Sequence, residues 1–147
     1  MMSIASLLNV FKVFRGEELS PEERKHLVHE ALLLTLARAS SSDSRIESIE
    51  ISAVQRAIKE AIDVDVSEAD VRVAAKSELF ETVSLETALH RLSDRLSNED
   101  RMLVIHKLED VIRSDSRVSE FELDYFDRVV RALRVPPSML SELTLKR

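Results

Sequence analysis

The chain has 147 residues, 44% of them hydrophobic and 33% charged, with a formal net charge of −6, three Pro, one Gly, no Cys and no Trp. That much apolar content excludes a disordered chain, and the lack of Cys excludes disulfides, thiolate catalysis and Cys-ligated zinc. The acidic balance disfavours a general nucleic-acid surface, which needs basic side chains to displace phosphate counterions, and so few Gly and Pro leave little material for the tight turns of hairpins and barrels.

An all-α domain of seven to eight helices is therefore the expected class. Ile4 to Phe14 reads as one short amphipathic helix, ended by Gly16, which can adopt the left-handed conformation. Residues 1–18 form this helix and a linker, and residues 19–147 the main helical domain. Ser20-Pro21-Glu22-Glu23 is a helix start with Ser20 as N-cap, Pro21 at N1 and Glu23 completing a capping box. The helix should run to about Ala39. Leu27, Val28, Ala31, Leu32, Leu33, Leu34 and Leu36 make it apolar around most of its girth, so it is central.

A loop over 40–45 leads to a third helix expected from about Glu47 to Ile62, with Ile51, Val54, Ile58 and Ile62 at helical spacing. Asp63 to Val66 breaks it. Ser67 to Asp70 starts a fourth helix, Ser84 a fifth carrying Leu85, Ala88, Leu89, Leu92 and Leu96, and Asn98-Glu99-Asp100 caps a sixth. Ser119 to Glu122 is another capping box, opening a seventh helix with Phe121, Tyr125, Phe126, Val129, Val130 and Leu133 on its apolar side. Pro136-Pro137 ends it, and a short tail helix over 138–143 follows. The valine-rich pieces 64–66 and 71–73 are read as turn and helix, since one isolated strand pair is rarely stable.

The chain repeats itself. Ser42-Asp43-Ser44-Arg45 recurs as Ser114-Asp115-Ser116-Arg117, an offset of 72 residues (115 minus 43), and downstream Glu50 aligns with Glu122, Val54 with Phe126 and Ile58 with Val130. Self-similarity of this kind sets architecture. Two helix-loop-helix units, about 27–62 and 100–134, should form a pseudo-twofold centre bridged by helices four and five. Each copy reads Asp-x-x-apolar-x-x-x-Glu. Glu50 and Glu122 fall near helix N-termini, where an anion gains roughly 0.3–1 kcal/mol, and each Asp can staple its own loop as an Asx turn. A structural role, with Asp as staple and Glu as cap, stands beside a cation-binding one.

With these residues, the chain resembles the tellurite-resistance TerB family, including the TerB-like module of a membrane-anchored J-domain co-chaperone. The segments that carry the resemblance are 36–46 and 110–118, and it extends over roughly 24–143. It implies an all-helical fold of about seven helices, no enzymatic activity, and a metal-responsive or scaffold role in a stress-response setting. By the same resemblance, Asp43, Glu50, Asp115 and Glu122 would bind a divalent cation, calcium first among the candidates, with Glu47 and Glu120 as helpers. The chain departs from the family pattern in having Ser44 and Ser116 where Gly follows each Asp. Arg45 and Arg117 add positive charge to the loops. Calcium takes about six to eight oxygen ligands, so carbonyls, waters or convergent loops would have to supply the rest.

Glu23, His26 and His29 lie at i, i+3 and i+6 on one helical face, the runner-up metal site of an enzyme. A di-iron bundle needs a second Glu-x-x-His, and Glu86 and His90 are four apart instead. His106 reads as a half-buried, hydrogen-bonded His. Ser40 to Ser42 form a polar loop that could accept phosphate. No Ser-His-Asp arrangement, nucleophile elbow or Gly-rich phosphate loop is present. The expected partner is another protein, or a second copy of this chain, rather than nucleic acid. The first helix, with Ile4, Leu7, Leu8, Val10, Phe11 and Phe14, is the best candidate for partner contact; its apolar side packs on its own domain first, a second subunit or partner is the next reading, and a membrane surface, with Lys12 and Arg15, is the last, since such docking needs a larger helix. No apolar run approaches the roughly 20 residues of a membrane span, and Lys12 and Arg15 follow the first apolar stretch, whereas a secretory signal carries its charge before it. A cytoplasmic location is the expectation.

Overall fold

A computed structural model of the chain describes residues 4–40, 49–114 and 118–140, and among these there is no strand. In chain order they form a 3-10 turn over Ile4–Ser6, α1 (Leu8–Phe14), α2 (Pro21–Ala39), α3 (Ile51–Ile62), α4 (Glu68–Ala75), a 3-10 segment over Glu78–Glu81, α5 (Leu85–Ser93), α6 (Asn98–Arg113), α7 (Glu120–Ala132) and α8 (Pro137–Leu140). The valine-rich pieces are turn and helix, as expected.

The capping box at Ser20 forms as the sequence predicts: Ser20 Oγ accepts from the Glu23 amide, and a Glu23 carboxylate oxygen accepts from the Ser20 amide at 2.9 Å. From there α2 passes through the middle of the molecule, in contact with α1, α3, α4, α5 and α6. Leu32, Leu33 and Leu34 are all fully buried. Three consecutive helical positions point in three directions, so only a helix enclosed on every side can bury them all. Each such Leu contributes about 1.5–3 kcal/mol of burial.

The two repeat units place their helices as the alignment requires. Val54 of α3 and its counterpart Phe126 of α7 are both buried, whereas Ile58 is fully buried and its counterpart Val130 only partly so, Val129 taking the buried place beside it. α3 and α7 both pack on α6, and α3 also packs on α2. Tyr125 ties the second unit to the first: its hydroxyl donates to the Thr35 carbonyl of α2 at 2.7 Å. α5 does bridge, touching α7 and α2, whereas α4 lies on α2 and α3 of the first unit.

Four local expectations need correction. The first segment is not one helix: Leu7, at φ 54, separates the 3-10 turn from α1. A left-handed residue without glycine's freedom is strained, and its tertiary surroundings hold it, with Leu7 1% exposed. The third helix begins at Ile51 rather than 47, with Glu50 as N-cap. The cap of α6 is Ser97, whose hydroxyl accepts from the Asp100 amide, and Asn98 is its first helical residue. Phe121 is 53% exposed and lies off the buried stripe of α7. The tail helix is described only over Pro137–Leu140; the remainder of its expected span lies outside the described residues.

Two polar devices hold the core together. Leu7 has no side chain that can cap α1, and Glu30 of α2 does so instead. Its Oε1 accepts from the amides of Asn9 (2.8 Å) and Val10 (3.1 Å), and its Oε2 accepts from Asn9 Nδ2 (2.6 Å). Glu30 is 3% exposed, and burial pushes its carboxyl above the usual glutamate range. At the other end, the Arg101 guanidinium donates to the carbonyls of Ser93, Leu96 and Arg134, closing the end of α5 over the start of α6. Arg134 itself has φ 51 and pairs through its guanidinium with Asp94.

Candidate functional site

Asp43 and Asp115, and the helper Glu47, lie outside the described residues; Glu50 and Glu122 lie inside them. Although the repeat aligns these two glutamates, they occupy different positions. Glu122 is the third residue of α7 and closes a capping box: Ser119 Oγ accepts from its amide at 3.2 Å, and its Oε1 accepts from the Ser119 amide at 3.0 Å. Glu50 is exposed and is itself the N-cap residue of α3, where its side chain caps nothing and accepts from Ser52 Oγ at 3.4 Å. The cause is legible in the alignment. Glu47 occupies in the first copy the place of the capping Ser119 in the second, and a Glu is a poorer N-cap than a Ser.

Glu122 is 1% exposed, and among the described residues its second oxygen, Oε2, is buried with no hydrogen-bond partner. Leaving a buried carboxylate oxygen unpaired costs on the order of 1–3 kcal/mol. A cationic ligand at that oxygen would relieve it. The helper Glu120 opens the same helix and is exposed.

Beside the start of α7 runs a cleft of about 470 Å³ bounded by the end of α2, the segment before α5, and α7. Arg38 stacks its guanidinium 4.4 Å from the centre of the Phe80 ring and donates to the Ala75 carbonyl at 3.0 Å. On the other wall Arg128 bonds Asp124 through Nε at 2.9 Å and lies 3.5 Å from Glu86. Phe121 opens onto the cleft, and Val118, three residues earlier, is 40% exposed. An aromatic ring and a β-branched side chain are thus left in water next to fixed charges.

The histidine face does not assemble a metal site. Glu23 is already engaged by the Ser20 amide and by Lys12, and the Lys12 ammonium holds its carboxyl down at about 2. The His26 and His29 rings meet edge to face at 5.8 Å. Burial pushes His29 below the usual histidine range, and the neighbouring His26 acts in the same direction. Among the described residues no group of three or more His, Asp or Glu could hold a metal ion. Glu86 pairs with Arg128 rather than with His90. Two buried acids were missed in the sequence, Glu30 and Glu109. For Glu30 the signal is a single acid within the apolar run 27–37 of α2; Glu109, next to Asp110 on a helix with a full polar face, carries no such signal.

The family model described as tellurite resistance protein TerB matches residues 29–145. The chain belongs to the TerB family. No curated protein and no solved structure gives a match. The match to the TerB model spans both repeat units and begins within α2, after the α1 segment that Glu30 caps. The all-helical architecture agrees with the fold that the resemblance implied. Among the described residues, no helix is long and apolar enough to cross a membrane.

Proposed function

We propose that this TerB-family chain is a non-enzymatic interaction module in a stress-response setting, and that a divalent cation tunes it. The partner surface is the cleft between Arg38, Phe80 and α7, with Phe121 and Val118 at its edge. The observation that supports cation tuning is Glu122, a buried carboxylate whose Oε2 is unpaired among the described residues, at the first turn of the helix that carries Phe121. The fit differs between the copies. In the second, Asp115 and Glu122 would hold the ion, which would supply the positive charge that Oε2 lacks. In the first, Asp43 and Glu50 would do so from an exposed position, with less to gain from burial. Bound charge at the start of α7 would fix the loop before it and with it the direction in which Val118 and Phe121 are presented.

Calcium titration of the metal-stripped protein, followed by calorimetry and thermal melting, tests this reading. A ligand that binds only the folded state at 100 times its Kd stabilises it by roughly 2.7 kcal/mol. A saturable shift that disappears in an Asp43→Asn/Asp115→Asn double variant is the expected result. No heat and no shift with calcium, magnesium, manganese or zinc would leave Glu122 as a helix cap only. The metal-enzyme alternative loses support because Glu23, its carboxylate ligand, is committed to Ser20 and Lys12. A purely structural oligomerisation role would show as concentration-dependent mass without any cation response.

A further inference from the structure

A second cleft, of about 670 Å³, lies between the first half of α2, the end of α3 and the turn from α5 into α6. Its charged edge is Arg24, Lys25 and Arg95, and its apolar side is formed by Val28, Leu96 and Leu103. Val28 and Leu96 are largely buried, at 8% and 4% exposure, so they form a floor rather than a protruding patch. Among the described residues none of the three basic side chains forms a salt bridge or side-chain hydrogen bond, although most other basic residues in the fold are paired, among them Lys12, Lys59, Lys107, Arg128 and Arg134.

Two carboxylates also line this cleft, and they offset its positive charge only in part. Asp94 is taken by the Arg134 guanidinium from outside the cleft. Asp100 remains as a single negative charge against Arg24, Lys25 and Arg95. The chain as a whole is at −6, so this is a locally positive hollow on an acidic protein. The start of α6 adds little to it, because the Ser97 hydroxyl already accepts from the Asp100 amide. The size falls within the range of small-ligand sites, roughly 300–1,000 Å³. The basic side chains are too few for a nucleic-acid track, which neutralises many phosphates along a strand. The floor is concave, whereas docking on a lipid surface uses a protruding apolar face.

We propose that this cleft binds a small amphipathic anion, an organic phosphate or carboxylate with a short alkyl or aryl group. The anionic head would sit among Arg24, Lys25 and Arg95, where the two guanidinium groups can bond two oxygens each. The apolar part would cover Val28, Leu96 and Leu103. Neither half is sufficient alone: exposed cations bind a bare anion weakly, and the floor is too small to hold an apolar chain without a head.

The test is a heteronuclear NMR titration of the full chain with octyl phosphate below its micelle concentration. Octanol and inorganic phosphate serve as the two half-ligands. The expected result is saturable shifts confined to residues 24–29 and 94–103, with affinity at least about tenfold above that for either half-ligand. An Arg24→Gln/Lys25→Gln/Arg95→Gln variant, altered only at exposed positions, should melt at the same temperature and bind at least about tenfold more weakly. Lys76→Gln, at an exposed basic position that does not line the cleft, should leave binding unchanged, which separates this cleft from general surface charge. Shifts that fail to saturate, equal affinity for octanol, or an unchanged affinity in the triple variant would each overturn the proposal. Phosphatidylcholine vesicles containing phosphatidic acid distinguish the source of the head group. Capture by such vesicles without binding of dissolved octyl phosphate would overturn the assignment to a free small molecule.

Discussion

Glu30 offers the sharpest test of how this core is held. Its carboxylate receives three donors, the amides of Asn9 and Val10 and the Asn9 side-chain amide, all in a buried setting. Glu30→Ala strips the acceptors from all of them. Each buried donor left unpaired costs about 1–3 kcal/mol, and water entering the space vacated by the side chain keeps the sum for three donors toward the low end. The expected loss is therefore about 3–5 kcal/mol, and at roughly 2–4 °C per kcal/mol for a domain of this size the Tm should fall by roughly 6–20 °C.

Glu30→Gln should behave differently. The Gln carbonyl can take the place of Oε1 and keep both backbone bonds. Its NH₂ would then face Asn9 Nδ2, but a half-turn of the Asn9 amide brings Oδ1 opposite, the atom now buried without a partner. The carboxyl of Glu30 is raised, first by burial, with the bonds from Val10 and Asn9 and the charge of His26 acting the other way. A raised acid stabilises the native state fully below its unfolded value of 4.5, and that contribution is lost as pH rises through the folded value. The Gln variant has no such proton to lose. Its stability relative to the parent should improve as pH rises above 4.5, matching or exceeding the parent at neutral pH. Thermal melts of parent, Ala and Gln chains across pH, with amide exchange read at α1, measure all of this. A Gln variant as damaged as the Ala variant would refute the acceptor geometry, and a parent-minus-Gln difference that does not change with pH would refute the raised carboxyl.

Tyr125→Phe removes the buried bond to the Thr35 carbonyl and should cost about 0.5–1.5 kcal/mol in denaturant unfolding, with the fold retained. Gly16→Ala meets no atom within 4 Å, so at φ +76 its penalty is backbone strain alone; a loss of about 1 kcal/mol in the same assay is expected. Glu23→Gln should lower the Tm at neutral pH by weakening the contact with Lys12. Because the Glu23 carboxyl is depressed to about 2, that stabilisation is present above its ordinary value of 4.5 and lost as pH falls toward 2, so the melts of parent and variant should converge in acid.

Much of this fold could be read directly from the chain, and the reason is local. Ser20, Ser67, Ser84 and Ser119 cap helices with their own hydroxyls, using atoms within three residues in sequence. Periodicity likewise marked α2 as central, because a helix with leucines on all sides has no face to give to water. The site was less legible. The repeat equated Glu50 with Glu122, yet one is exposed and the other buried, because Glu47 replaces the capping Ser119 and the third helix starts at Ile51.

The sequence by itself determined the all-helical class, the serine-capped starts at Ser20, Ser67, Ser84 and Ser119, the twofold internal repeat and the resemblance to the TerB family, since all of these rest on residues near one another or on a repeated pattern. Only the tertiary structure decided which acids are buried, that Glu30 caps a helix 20 residues upstream, and that Arg24, Lys25 and Arg95 line one cleft. Those outcomes depend on which helix lies against which, and no periodicity within a single helix contains the identity of its neighbour.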